Sequence, residues 1–351
     1  MILVCGIPSE TPLRMVTARL DEMGVPFVMF NQRQFADCDV WFEVRRGEVS
    51  GELGIGDDRY LLQDFTAVYP RMMDDRALPE LADELPDSRL RNYCRSFHDT
   101  LVRWMEIAPA RVINRCAPMA SNSSKPYQSQ LIREHGFQIP EILVTTEPEL
   151  VRAFRAKHGQ VIYKSISAVR SIVQELSDED EQRLERIRWC PTQFQAFVEG
   201  TNVRVHTVGS ELFATAIRSE ATDYRYAARQ AGEPAELREV TLSAELTAKC
   251  LRLSQSLGLE FAGIDLKITP EDEVYCFEVN PCPAYSYYEA NTGQPISAAV
   301  ARHLASAPKR AAQSLASLNA SRIRSKSKRI CVKPSQPLSC ACDDSPVGAP
   351  S

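Results

Sequence analysis

Apolar positions along this chain recur with two different periods, and the changes of period mark out its elements. Residues 2–7 (ILVCGI) form an apolar run of strand length. Met15, Val16, Leu20 and Met23 then follow helical spacing, and 25–30 (VPFVMF) is apolar again. This reads as strand, helix, strand, with Thr11 as helix N-cap, Pro12 in the first turn and Gly24 as the stop. A right-handed crossover between two parallel strands is expected. Gly6 is the only glycine in the first turn, so no dinucleotide fingerprint is present. Residues 41–69 read as short strands with turns at Arg46-Gly47 and at 54–58.

The helical period returns at 88–107, where Leu90, Tyr93, Cys94, Phe97, Leu101, Trp104 and Met105 share one stripe that reads as core. A second helix is predicted at 127–135, opened by the polar run 121–124 and Pro126 and stopped by Gly136. Residues 142–145 and 161–164 are strand-like. In 193–199, Phe194, Ala196 and Val198 alternate with Gln195, Phe197 and Glu199. Residues 242–257 are amphipathic through Leu246, Cys250, Leu253 and Leu257.

The most informative segment is 261–280, FAGIDLKITPEDEVYCFEVN. It reads as two apolar-patterned strands joined by the polar turn 269–273, with Asp265 on the first strand and Glu278 and Asn280 two apart on the second. Residues two apart on a strand share a face, so a hairpin gathers two carboxylates and an amide oxygen. Hard oxygen donors of this kind suit Mg²⁺ carrying nucleotide phosphates. A solvated polar hairpin face is the competing reading. The flanking Phe261, Ile264, Leu266, Val274, Phe277 and Val279, followed directly by NPCP, favour a built site.

FAGIDLKI, FEVNPCPAYSYYEANTGQPI and, upstream, VINRCAPMASNSSKPYQSQLIREHGFQIPEILVT, VIYKS and FQAFVEGTNVRVHTVG together resemble the ATP-grasp ligases. Within them the chain is most similar to the RimK-like carboxylate–amine ligases and the related graspetide-type ligases that macrocyclise ribosomal peptides. The resemblance covers residues 112–304. It implies a mixed α/β (α+β) ATP-grasp fold: an N-terminal Rossmann-like parallel-sheet domain and two α+β subdomains gripping ATP. The expected division is 1–108 for the N-terminal domain, 109–192 for the phosphate-binding subdomain and 193–304 for the subdomain with the metal site. Residues 305–351 would form a basic, Pro/Ser-rich disordered tail.

The same resemblance assigns candidate roles. Lys125 and Lys164 would reach the phosphates, as compact point charges on flexible stems. Gln195, Ala196, Phe197, Val198 and Glu199 would form the inter-subdomain segment, its backbone meeting adenine and Glu199 the ribose. Asp265, Glu278 and Asn280 would hold Mg²⁺, with Mn²⁺ as substitute. Arg204, Arg218 and Arg225 would clamp an acyl phosphate through their guanidinium forks. Two departures stand out. Residues 165–173 contain no glycine where the family places a glycine-rich flap, and Asn202 stands where an aspartate is usual. The first departure, with the triplet Asp223-Tyr224-Arg225, resembles the peptide-maturing branch.

Composition narrows the rest. The 351 residues carry a net charge of -5 and 44% hydrophobic residues, which gives no reason to expect a nucleic acid or acidic-membrane partner. Apolar runs are too short to span a bilayer and residues 1–7 do not read as a signal peptide, so a cytoplasmic location is expected. The 11 cysteines are odd in number and lack a CxxC pair, which points to buried free thiols. The five histidines form no metal pattern; His206 on the VRVHTVG strand could face the site, and a core or surface histidine is the favoured reading. The expected activity is an ATP-dependent carboxylate–amine ligase forming an amide or ester through an acyl phosphate. Its substrates would be a peptide or small-molecule carboxylate and an amine, with a precursor peptide as one partner and homo-oligomerisation left open. A catalytically silent ATP-binding protein acting through a partner is the alternative.

Overall fold

The computed structural model describes residues 1–165, 173–219 and 235–308. Residues 166–172, most of the glycine-free flap, lie outside the described residues, as do 220–234 with Arg225 and 309–351 with the tail cysteines.

The opening run becomes β1 (Ile2–Gly6), buried throughout, followed by α1 (Thr11–Glu22) and the parallel partner β2 (Phe27–Asn31). Thr11 is not the N-cap. Glu10 holds that position without a side-chain cap bond, because its carboxylate is drawn instead to Arg71, 2.6 Å away. β3 (Cys38–Arg45), β4 (Glu48–Ile55) and β5 (Asp58–Leu61) form a separate antiparallel sheet. Arg46 and Gly47 both take positive φ (52° and 82°), as a tight two-residue hairpin turn requires. The turn expected at 54–58 contracts to Gly56-Asp57, since Gly54 and Ile55 stay paired with Asp39 and Cys38.

β6 (Ala67–Arg71) lies on the far side of β1 and β7 (Arg111–Val112) beyond it, giving the parallel order β2-β1-β6-β7. Between them runs α2 (Arg89–Ile107), capped by Ser88, whose hydroxyl accepts from the Arg91 N–H at 3.1 Å. Its stripe of Cys94, Phe97, Leu101, Trp104 and Met105 packs with Leu3, Phe30 and Val68. Tyr93 departs from the stripe: it is 42% exposed and its hydroxyl donates to the Cys38 carbonyl. The opposite sheet face, with Ile2, Val4 and Tyr69, packs on α1, Phe261, Tyr285 and the helix Ile296–Ala305. That second core joins the N-terminal sheet to the end of the described chain.

The next layer contains α3 (Cys116–Met119), α4 (Lys125–Glu134), β8 (Ile142–Thr145), α5 (Pro148–His158), β9 (Val161–Ser165), β10 (Gln174–Glu175), α6 (Asp178–Gln182) and β11 (Thr192–Ala196). Its antiparallel sheet has the order β10-β9-β11-β8. β11 is an inner strand, which is why Gln193, Phe194 and Gln195 are all buried. The alternation predicted through Glu199 ends at Ala196. At Gly200 (φ +145°) the chain passes so near Ile268 that a Cβ would lie 2.3 Å from its carbonyl oxygen.

The last sheet is antiparallel, ordered β14-β13-β12-β15-β16, from β12 (Thr201–Val208), β13 (Glu211–Arg218), β14 (Glu236–Val240), β15 (Phe261–Ile268) and β16 (Val274–Asn280). One face buries Val203, Val205, Ile264, Leu266 and Cys276 against Ile132 of α4 and Cys250 and Leu253 of the helix Ala244–Ser256. The other carries the candidate site. Packing continues past the boundary expected at 304: Ala307 is 6% exposed, and Arg111 donates to the Ser306 hydroxyl at 2.9 Å. Among the described residues, no helix is long and apolar enough to cross a membrane. All eight described cysteines are free, but Cys116, Cys190 and Cys282 are exposed, so the expected burial holds for only part of the set.

Candidate active site

Strand register assembles the site. Asp265 lies directly across from Glu278 and also across from Arg204, so three charged residues from β12, β15 and β16 stand in one row. Gly263 is opposite both Asn280 and His206, and Lys267 is opposite Asn202. A bulge intervenes where pairing passes from Asp265–Glu278 to Leu266–Cys276, leaving Phe277 as the extra residue. It reverses the facing of β16 locally. Cys276 and Val279 can therefore both enter the core while Glu278 faces the site.

Neither carboxylate stands alone. Arg204, only 5% exposed, donates from Nη1 to Asp265 at 2.7 Å. Gly263 makes room for this guanidinium, since a Cβ there would lie 2.1 Å from Nη2. The Arg204 Nε approaches His206 Nε2 at 3.5 Å, and its Cζ lies 5.8 Å from the Tyr288 ring centroid. Burial drives the His206 pKa well below its ordinary value, and the adjacent Arg204 charge adds to this, so the imidazole is neutral.

Lys125, the first residue of α4, donates to Glu278 Oε1 at 2.5 Å and to Asn122 Oδ1 at 2.6 Å. Burial alone would raise the Glu278 pKa. The charge and hydrogen bond of Lys125, with the charges of Lys164 and Arg204, outweigh this and hold it below the usual range. Lys164, on β9 across from Gln193, is therefore within electrostatic reach of the same carboxylate. One turn along α4, Gln128 grips the strand itself: its amide donates to the Val279 carbonyl (2.8 Å) and accepts from the Val279 N–H (3.0 Å). The helix N-terminus and the outer edge of β16 are thus held together by Lys125 and by Gln128, of which sequence reasoning singled out only Lys125.

The inter-subdomain segment is tied down as firmly. The Ala196 N–H donates to the Glu141 carbonyl and the Phe197 N–H to that of Gln160, both at 3.0 Å. Lys267 donates to the Val198 carbonyl at 2.8 Å, with its ammonium 4.8 Å from the Phe197 ring centroid. Burial lowers the Lys267 pKa, against the opposing charge of Glu199. Gln195 is buried and Glu199 exposed.

The candidate arginines separate. Strand alternation places Arg218 on the face of β13 opposite to the Arg204 row, exposed at the strand end. Arg225 lies outside the described residues. Of the two described arginines, Arg204 is placed beside the carboxylates and Arg218 is not.

Among the described residues, no three His, Cys, Asp or Glu side chains converge on a metal position. Asp265 and Glu278 in register, with Asn280 on the face of Glu278, supply hard oxygens only. Such a set fits Mg²⁺, which keeps water and phosphate ligands. Asn280 Oδ1 already accepts from the Cys282 N–H at 2.9 Å, leaving one lone pair. Burial raises the Cys276 pKa well above its usual value, so this neighbour is a thiol and not a competing thiolate. A cavity of about 540 Å³ between α4 and β8, lined by Ser129, Arg133, Phe137, Ile142 and Val144 among others, contains none of these residues.

Sequence reasoning missed Gln128, Gly263, Lys267 and Tyr288. Gly263, two before Asp265 in the same strand, carried a legible signal, since a glycine inside a strand marks a close approach. The other three act through distances that only folding sets.

The model of the RimK-like ATP-grasp domain matches residues 121–304, just over half of the chain. No curated protein sequence matches. Among solved structures, the macrocyclase MdnC bound with precursor peptide MdnA from Microcystis aeruginosa MRC is similar at 23% identity and a TM-score of 0.71, over 86% of this chain and 98% of that one. A Chryseobacterium gregarium RiPP-associated ATP-grasp ligase, in complex with ADP and a leader and core peptide, is similar at 23% identity and a TM-score of 0.74, over 88% and 97%. The ATP-grasp ligase PsnB, complexed with minimal precursor, Mg and ADP, is similar at 24% identity and a TM-score of 0.67, over 87% and 97%. These likenesses establish the ATP-grasp fold, and the domain match extends across the antiparallel sheets β10-β9-β11-β8 and β14-β13-β12-β15-β16 and the candidate site. The chain belongs to the RimK-like ATP-grasp family and is an ADP-forming ATP-grasp ligase.

Proposed function

We propose that the protein joins a carboxylate to an amine or hydroxyl through an acyl phosphate, with a peptide as the carboxylate substrate. The observation that carries this reading is the Arg204–Asp265–Glu278–Lys125 row, which sets two oxygen ligands between two cations of the kind that bind phosphate. A substrate carboxylate oxygen attacks the γ-phosphorus of ATP, the bond to ADP breaks, and the nucleophile then displaces phosphate from the acyl carbon and loses its proton. Positioning and charge neutralisation dominate such a reaction. Lys125 and Lys164 hold the nucleotide phosphates, Arg204 faces the acyl phosphate, and the segment 195–199 borders the base, with Glu199 toward the ribose. Asp265, Glu278 and Asn280 hold Mg²⁺, which supplies Lewis-acid neutralisation of phosphate charge. Mn²⁺, which shares the hard-oxygen preference, serves in its place.

The peptide assignment is supported by the resemblance of residues 112–304 to the peptide-maturing branch, and by structural neighbours that hold precursor, leader or core peptides. The domain division at 108, 192 and 304 belongs to this reading, with Ser306 and Ala307 still packed on the body beyond the last boundary.

The test is trapping. Incubation with ATP, Mg²⁺, hydroxylamine and peptides rich in Asp and Glu is expected to yield a peptide hydroxamate with ADP and phosphate. AMP and pyrophosphate would mean adenylation and overturn the mechanism.

A further inference from the structure

Each carboxylate assigned to the metal is bonded to a cation assigned to a phosphate. Lys125 donates to Glu278, and Arg204 to Asp265. Lys125 is the more accessible cation, with its side chain 22% exposed against 6% for Arg204, and Asn122 Oδ1 holds it in place as a second acceptor. An ammonium and a divalent cation compete for the same carboxylate lone pairs. A carboxylate and a phosphate likewise compete for the same ammonium. A metal that takes Glu278 therefore releases Lys125, and a phosphate that takes Lys125 releases Glu278.

We propose that the Lys125–Glu278 pair is an exchangeable counter-ion lock, which makes metal and nucleotide binding cooperative beyond the direct metal–phosphate bond. The proposal rests on the nucleotide–metal reading above and deepens it. Each ligand removes the other's internal competitor, and thermodynamic linkage requires the coupling to be reciprocal. Lys164 supplies the internal contrast. It acts on Glu278 through its charge, more weakly than Lys125 does.

The signs predicted are opposite to those of simple ligand loss. Calorimetric titration of the full chain with Mn²⁺ alone is expected to show tighter metal binding in Lys125→Met than in wild type, by about fivefold or more. With EDTA present, Glu278→Gln is expected to bind ADP tighter than wild type by a similar factor. Lys164→Met should strengthen metal binding distinctly less than Lys125→Met. Lys125→Gln, with melting curves on every variant, guards against a folding artefact. The lock is overturned if Mn²⁺ alone binds Lys125→Met and Lys125→Gln no tighter than wild type. It is also overturned if Lys164→Met gives an equal gain, since a diffuse field would then account for the effect. A wild-type protein that binds ADP with Mn²⁺ normally while the variants show no gain refutes the lock alone. Failure of Mn²⁺ and ADP to bind wild type even together refutes the nucleotide–metal reading itself.

Discussion

The parallel sheet and the five-stranded antiparallel sheet bury their strands by different means. β1, an inner strand of the parallel sheet, is buried at every position and wholly apolar apart from its backbone. β12, an inner strand of the antiparallel sheet, is buried from Val203 to Val208, yet that stretch includes Arg204, His206 and Thr207. Burial at β1 needs only a helix on each face, and α1 and α2 provide them. Burial at β12 calls for partners to its polar side chains: Asp265 for Arg204, Ser254 for Thr207 at 2.8 Å, and Arg204 for the Nε2 of His206. A buried ion pair is weak evidence for stability, because desolvation offsets much of its Coulombic gain. The polar interior of β12 is therefore better explained by chemistry than by folding.

If that contrast is right, charge-removing changes on the antiparallel sheet should affect turnover far more than folding. The largest effect is expected at the row itself. Asp265→Asn and Glu278→Gln should lower ATP-dependent product formation at least about a thousandfold, or roughly 4 kcal/mol of transition-state stabilisation. Circular dichroism should show the fold intact. Near-normal ADP release with a trapped or natural substrate would remove the metal assignment.

Arg204→Met comes next. Loss of one preorganised donor to developing negative charge lowers kcat by about a hundredfold. Hydroxamate and coupled product should fall together, with the KM for ATP changed much less. Equal losses from Arg218→Met, on the opposite face of the sheet, would show that Arg204 has no special position.

Two lysines of unequal surroundings sharpen the comparison further. Lys157 pairs with Glu141 at 2.6 Å, but those side chains are 61% and 59% exposed, so water screens them. Lys164 lies on β9 within reach of Glu278. Lys164→Met is expected to weaken ADP·Mg²⁺ about tenfold, the worth of one charge-assisted hydrogen bond. Lys157→Met should leave it unchanged. Calorimetry on both variants decides, and equal affinities would remove Lys164 from the nucleotide site.

The same contrast explains how much could be read in advance. The apolar periodicities of β1, α2 and the helix Ala244–Ser256 are long-range signals written into single segments, and they predicted those elements closely. The hairpin was legible for the same reason, since Asp265 and Glu278 belong to one local pairing. Gln128 was not: its partner, Val279, is a backbone group 151 residues away. Lys125 was found through resemblance, but its ion pair with Glu278 depends on α4 docking against the outer edge of β16. The bulge at Phe277 escaped because the ExN spacing already looked like an uninterrupted strand. Arg218 stood with Arg204 among the candidate clamps, the last in weight, and the register assigns the two to opposite faces.

The smallest expected effect lies in the pH dependence of stability, and it isolates one buried polar side chain. His206 is fully buried against Tyr288, Phe261 and Arg204, and its Nδ1 lacks a partner among the described residues. Its folded-state pKa lies well below 6.5, through burial first and the Arg204 charge second. In the unfolded chain the imidazole takes up a proton near pH 6.5, whereas in the folded chain it stays neutral. The unfolded state then binds more protons, so stability is complete above that pH and declines as the pH falls. The decline attributable to this residue is about 0.7 kcal/mol between pH 7 and pH 6, steepening toward 1.4 kcal/mol per pH unit below that. His98, also lowered by burial, contributes the same sense of change and is present in both proteins compared. Urea unfolding of wild type and His206→Leu at a series of pH values should therefore show the wild-type curve falling more steeply by this amount. Parallel curves would mean that the imidazole is protonated or solvated in the folded protein, and the buried, neutral support behind Arg204 would have to be abandoned.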